Sequence, residues 1–263
     1  GEPPAAGLGV WQAFMKLSYR LFGGFIFPQA TDICNCGADL GVSIPRPELL
    51  QREGVQQGTR EWRMQMYGAA LYWHAASTPG AKLNVSDPDM LRGSDVLEVA
   101  CMRGGGARYL AEVTGPRRYV ATDHLQEHVD QCARQHAPPP CLEFQRADAM
   151  ELPQAFPEAS FDFVLCVQAA ATFGDLPRFI RGVQHVLRPG GRLLLIDGFA
   201  RKQLQLILDS LSEAGFACDV CNDLGRQVHA VGLCTIPTGV SYLRIVARKL
   251  PPEAVEAAEA PAA

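Results

Sequence analysis

The chain has 263 residues, 48% of them hydrophobic and 20% charged, with a formal net charge of −4. That suits one globular domain with a sizeable core, plus extensions. No long basic run interleaved with aromatics occurs, which argues against a nucleic-acid partner. Nine scattered cysteines, an odd number without a tight framework, point to a reducing compartment, the cytoplasm, and not to a disulfide scaffold.

The opening "GEPPAAGLG" has neither Met nor a basic n-region and reads as a trimmed end or a disordered leader. Residues 8–28 are nearly all apolar apart from Gln12, Lys16, Ser18 and Arg20. Gln12, Lys16 and Arg20 recur every fourth residue and form a narrow polar stripe on a helix. The charges and the short length disfavour a membrane span. Residues 29–58 lack periodicity and read as loop. From Thr59 onward a helix is expected, capped by Thr59, with Trp62, Met66, Ala69, Ala70 and Trp73 on one face. The pairs Cys34/Cys36 and Cys218/Cys221 have no matching second pair, so they read as reduced thiols and no metal is expected. Asn84 opens a glycosylation sequon by pattern alone.

Strands and helices then alternate. Strands are expected at 95–100, 118–123, 142–148, 161–170, 191–199, 216–220 and 240–250. Helices are expected at 107–114, 125–136, 176–187 and 202–215. Such alternation means an α/β fold, a doubly wound, mostly parallel sheet of seven strands with helices on both faces. The last strand follows its predecessor after a short connection and is expected to run antiparallel. Residues 1–80 read as an N-terminal helical lid, 81–250 as the main domain and 251–263 as a disordered tail.

In such sheets ligands bind beyond the carboxyl ends of the strands. Three successive strand ends offer Glu98, Asp123 and Asp148 to one crevice. The competing reading is that each acid caps the helix that follows. The pyrophosphate fingerprint G-x-G-x-x-G is missing, which disfavours a nicotinamide dinucleotide. Three acids suit a ligand without phosphate and with positive charge, as S-adenosylmethionine is.

The segments "DVLEVACMRGGGARYLAE", "YVATDHLQEHVDQCA", "FQRADAMELPQAFPEASFDFVLC" and "VLRPGGRLLLID" resemble, in order and spacing, class I S-adenosylmethionine-dependent methyltransferases. Within that class the sequence is similar to small-molecule enzymes such as the mycobacterial phthiotriol-type lipid O-methyltransferases. The resemblance implies a Rossmann-like fold, S-adenosylmethionine as cofactor, and methylation of a hydroxyl on a lipid or polyketide-like molecule. It also implies residue roles. The loop Glu98 to Gly104, with the backbone of Ala100 and Cys101, would face the methionine part. Asp123 would take the ribose hydroxyls, with His124 by the adenine. Asp148 would bind the adenine amino group, with Ala149 and Met150 alongside. Val167 and Gln168 would border the reacting methyl.

Two departures stand out. Met102 occupies the position of the second loop glycine, where glycine permits positive φ. After the fourth strand, where many relatives carry a histidine, the chain has Ala169, Ala170 and Ala171. His74 and His229 are the candidate bases, each weighed against a histidine without a role. Tyr67 and Tyr72 could close over the cofactor or merely pack. The alternative to an enzyme is a non-catalytic protein of the same fold, serving as a binding or partner surface.

Overall fold

The computed structural model describes residues 33, 40, 43–77, 89–135, 137–231 and 239–254, with only the backbone for 89 and 229–231. The apolar stretch 8–28, Cys34, Cys36, Asn84, the His229 side chain and the tail from 255 lie outside the described residues.

Helix α1 (Arg60–Ala75) starts at Thr59, whose hydroxyl accepts from the Trp62 N–H at 3.2 Å. Its second half is buried almost all round, from Gly68 to Ala75, whereas Trp62 and Met66 are only half-buried. The chain then runs through β1 (Asp95–Val99), α2 (Gly105–Thr114), β2 (Arg118–Asp123), α3 (Gln126–Gln135) and β3 (Leu142–Arg146). A short α4 (Leu152–Ala155) precedes β4 (Phe161–Val167), α5 (Leu176–Val186), β5 (Leu187–Ala200), α6 (Leu204–Glu213) and β6 (Phe216–Asp223). A further short helix α7 (Gly225–Val231) leads to β7 (Val240–Lys249).

The seven strands form one sheet in the order β3-β2-β1-β4-β5-β7-β6. The pairs β1–β2, β1–β4, β2–β3 and β4–β5 are parallel. β7 is antiparallel to both β5 and β6, although the connection from β6, which carries α7, is longer than a hairpin turn. The strand order reverses between β1 and β4, which opens a crevice beyond their carboxyl ends.

Each face of the sheet has its own core. Val96, Tyr119, Leu165, Val167, Ile196 and Tyr242 pack under α1 and α2. Leu97, Val164, Leu195 and Ile245 pack under α5 and α6. α5 shows how the sequence sets this. Asp175 caps it through the Arg178 N–H at 2.9 Å, and Phe179, Ile180, Val183 and Val186 fall on one face. β5 begins earlier than the expected 191 because "LRPGG" forms a bulged entry to the strand. Its register shifts there, and a Cβ on Gly191 would lie 2.9 Å from two carbonyl oxygens.

Candidate active site

The turn after β1 adopts left-handed backbone without glycine, with φ 57° at Ala100 and 52° at Met102. Such a conformation costs an L-residue about 1–2 kcal/mol. Three contacts hold it in place. The Cys101 N–H donates to Thr122 O at 2.8 Å, the Met102 N–H to Asp123 Oδ2 at 3.1 Å, and the Cys132 thiol to Met102 O at 3.2 Å. Gly104, with φ 73°, then starts α2. A Cβ there would meet the Phe144 ring at 2.7 Å and Cys132 Sγ at 2.8 Å. The Cys101 thiol is pushed well up by its hydrogen bond with Cys132 and by burial, so it is not a nucleophile at neutral pH.

Asp123 ends β2 and is 3% exposed. It accepts from the N–H groups of Met102 and Leu125, and the Nδ1 atoms of His128 and His124 lie 3.1 and 3.4 Å from its Oδ1. Burial alone would raise its pKa. The hydrogen bonds from His128 and Leu125, with the charges of the histidines, bring it below the usual carboxylate value. Asp148 follows β3. It caps the turn Ala149–Glu151 through the Met150 N–H at 2.8 Å, so the capping reading holds for it, and it is exposed to the crevice as well.

β4 ends in Val167 and Gln168, the latter at φ 54° with its N–H on Ile196 O at 2.7 Å. The Gln168 side-chain amide donates to the Tyr242 hydroxyl. The alanine turn that follows is pinned by Asp197, whose carboxylate accepts from the N–H groups of Ala171 at 2.8 Å and Gly198 at 2.7 Å. Burial pushes the Asp197 pKa up to about 7 against those bonds.

These strand ends line one cavity of about 850 Å³, large enough for a nucleoside-sized cofactor with an acceptor. From the sequence-derived set it brings together Ala100, Cys101 and Met102, then Asp123 and His124, then Asp148, Ala149 and Met150, then Val167 and Gln168. Tyr72 also lines it, whereas Tyr67 does not. Ile33, Leu125, Glu127, His128, Ala147, Ala169, Thr172, Phe173 and Gly174 complete the lining without having been expected. Of these, only His128 carries a readable signal, one helical turn past His124.

Other expectations are corrected. Glu98 does not open onto the crevice. Alternation along β1 puts it on the face of Val96, where it is 1% exposed and accepts from the hydroxyls of Tyr72 at 2.8 Å and Tyr119 at 2.6 Å. Burial raises its pKa to about 7 against both bonds. Gly104 stands behind the lining, at the helix start. His74 is neither a helix-surface residue nor a base in the cavity. It is 6% exposed in the core, where burial and the charge of Arg244 lower its pKa to about 3. The assignment to His229 rests on sequence alone.

Residues 97–195 match the family described as Methyltransferase domain. That match covers under half of the chain. The chain is 44% identical over 107 residues to phthiotriol/phenolphthiotriol dimycocerosates methyltransferase 1 of Mycobacterium ulcerans, covering 41% of this chain and 38% of that protein. It is 40% identical over 111 residues to the fatty-acid O-methyltransferase of Mycolicibacterium smegmatis, covering 42% and 39%. The similarity thus spans under half the length of these relatives. The fold matches the [4+2]-cyclase SpnF, with a TM-score of 0.62 at 18% identity over 91% of this chain and 96% of that one. It also matches a geranyl diphosphate methyltransferase in complex with GPP and sinefungin, with a TM-score of 0.58 at 14% identity over 81% and 89%. Among the described residues no helix is long and apolar enough to cross a membrane.

Proposed function

We propose that this chain transfers a methyl group from S-adenosylmethionine to an oxygen of an apolar small molecule of lipid or polyketide character. The observation that carries the reading is the convergence of the β1, β2, β3 and β4 ends on one cavity, within the segment that matches the methyltransferase family. The residues fit this cofactor. The cavity holds the carboxylates of Asp123, Glu127 and Asp148 and suits a ligand with ammonium and sulfonium charges and no phosphate. When bound, the cofactor supplies an electrophilic methyl group.

The chain's own residues do the rest. Asp123 takes the ribose hydroxyls, Asp148 the adenine amino group, and His124, Ala149 and Met150 flank the base. The backbone of Ala100 and Cys101, with the N–H groups at the start of α2 after Gly104, receives the methionine end. Val167 and Gln168 border the acceptor. Ala169, Thr172 and Phe173 of the lining carry no imidazole or carboxylate themselves, so they act by orienting the acceptor and excluding water.

The names of the two mycobacterial relatives support a lipid-like acceptor. The cyclase on the same fold is the reason the architecture alone does not carry the activity. The second reading, a non-catalytic protein of this fold, draws on Met102 and the alanine turn. Calorimetric titration with S-adenosylhomocysteine, with NADH as control, separates the two. Binding by the parent is expected. Asp123→Ala should weaken it at least about tenfold, since charge-assisted hydrogen bonds contribute about 1.5–3 kcal/mol. Equal affinity in both proteins removes the ribose assignment, and no binding by the parent rejects the proposal.

A further inference from the structure

We infer that Arg244 is the anchor for a carboxylate on the acceptor molecule, so that the chain takes an apolar substrate with an anionic head. The inference rests on the methyltransferase reading and names the substrate class of the same site. Its first support is register. Arg244 on β7 pairs with Ile196 on β5, which pairs with Val167 on β4. Paired residues point to the same face, so the three side chains stand in one row. Strand spacing puts Arg244 about 10 Å from Val167, which lines the cavity. The next residue on that face, Tyr242, carries the hydroxyl that meets Gln168 of the cavity wall.

Its second support is an unbalanced charge. Arg244 is 2% exposed. Its Nη2 donates to the carbonyl and hydroxyl oxygens of Ser77 at 2.9 and 3.2 Å, both neutral acceptors, and its Nε has no hydrogen-bond partner. No carboxylate of the described residues pairs with it, and the neighbouring His74 is neutral at physiological pH. Arg108, Arg117 and Arg188 by contrast each face a carboxylate, whereas the buried Lys249, like Arg244, meets neutral oxygens, the carbonyls of Gln184 and Leu187. A guanidinium removed from water without a counter-charge is costly, and an apolar residue of similar volume would be better tolerated. Its fork geometry suits a carboxylate.

The test is direct binding to the full chain, read by calorimetry with dodecanoate and dodecan-1-ol below their aggregation limits. The parent should bind dodecanoate at least tenfold more tightly than the alcohol. Arg244→Met should bring the carboxylate down to the level of the alcohol, and Arg244→Lys should keep part of the preference. Unfolding midpoints and S-adenosylhomocysteine affinity verify that the variants fold. If Arg244→Met does not fold, Arg244→Gln replaces it with the same expectation. No preference in the parent, or an unchanged preference in the neutral variants, overturns the inference. S-adenosylhomocysteine binding without carboxylate preference sinks this inference alone. Failure of the parent to bind S-adenosylhomocysteine sinks the methyltransferase reading instead.

Discussion

Replacing Glu98 by glutamine should change how stability depends on pH. In the folded chain the Glu98 carboxyl titrates at about 7, against an ordinary value of 4.5, because it is sealed between β1 and α1. The folded state therefore binds this proton more tightly than the unfolded state. Its contribution to stability is fully present below about pH 4.5 and is lost as pH rises through 7. At about 1.4 kcal/mol per pH unit, the loss is about 3 kcal/mol. Glutamine keeps the size and both partners, accepting from one tyrosine and donating to the hydroxyl oxygen of the other, and has no charge to bury. Asp197 acts in the same direction and His74 in the opposite one, so the parent's own curve mixes several terms. The difference between parent and Glu98→Gln isolates the single group. Urea unfolding at pH 5 and pH 8 should show the variant gaining about 2–3 kcal/mol on the parent across that interval. Parallel behaviour at the two pH values would refute the idea that Glu98 is buried and ionises with difficulty.

Met102→Gly should raise the unfolding midpoint by about 1–4 °C, because the positive φ is already in place and relief of about 1 kcal/mol appears as stability; a lower midpoint contradicts the strain argument. Gly106→Ala should destabilise by about 1–3 kcal/mol, since the added Cβ would lie 2.0 Å from a Tyr72 ring that Glu98 holds in place, and a thermal melt reads this directly. His74→Gln should flatten the loss of stability on acidification, because the parent's neutral histidine contributes fully above pH 6.5 and less as pH falls toward 3. Removal of residues 1–28 should abolish turnover and leave S-adenosylhomocysteine binding intact if the apolar helix read there covers the crevice; unchanged turnover removes that role.

Much of the fold is readable because buried parallel strands are written as short apolar runs and their ends as acids. "DVLEV", "RYVATD" and "FDFVLCV" each mark a strand, and Asp123 and Asp148 mark where two of them stop. The face of Glu98 is also written locally, since it stands two residues from Val96, but an acid near a strand end reads first as a ligand group. The contacts that close the site are a different matter. Asp197 with Ala171, Tyr242 with Gln168, and Arg244 with Ser77 join residues 26 to 167 positions apart, and no local pattern announces them. α7 is too short and polar to show a periodicity. His74 owes its burial to the way α1 lies on the sheet, which its own sequence does not specify.

α1 is joined to the sheet at several points. Tyr72 reaches Glu98 of β1, Gly106 of α2 packs on the same ring, and Ser77 just past its end meets Arg244 of β7. A helix fastened at both the first and the last strand cannot open without unpacking the core beneath it. In amide exchange its second half should be as slow as the central strands and should open with them in one cooperative step. Any faster breathing of the crevice must then come from segments outside 60–77, with α1 serving as the fixed wall against which they move.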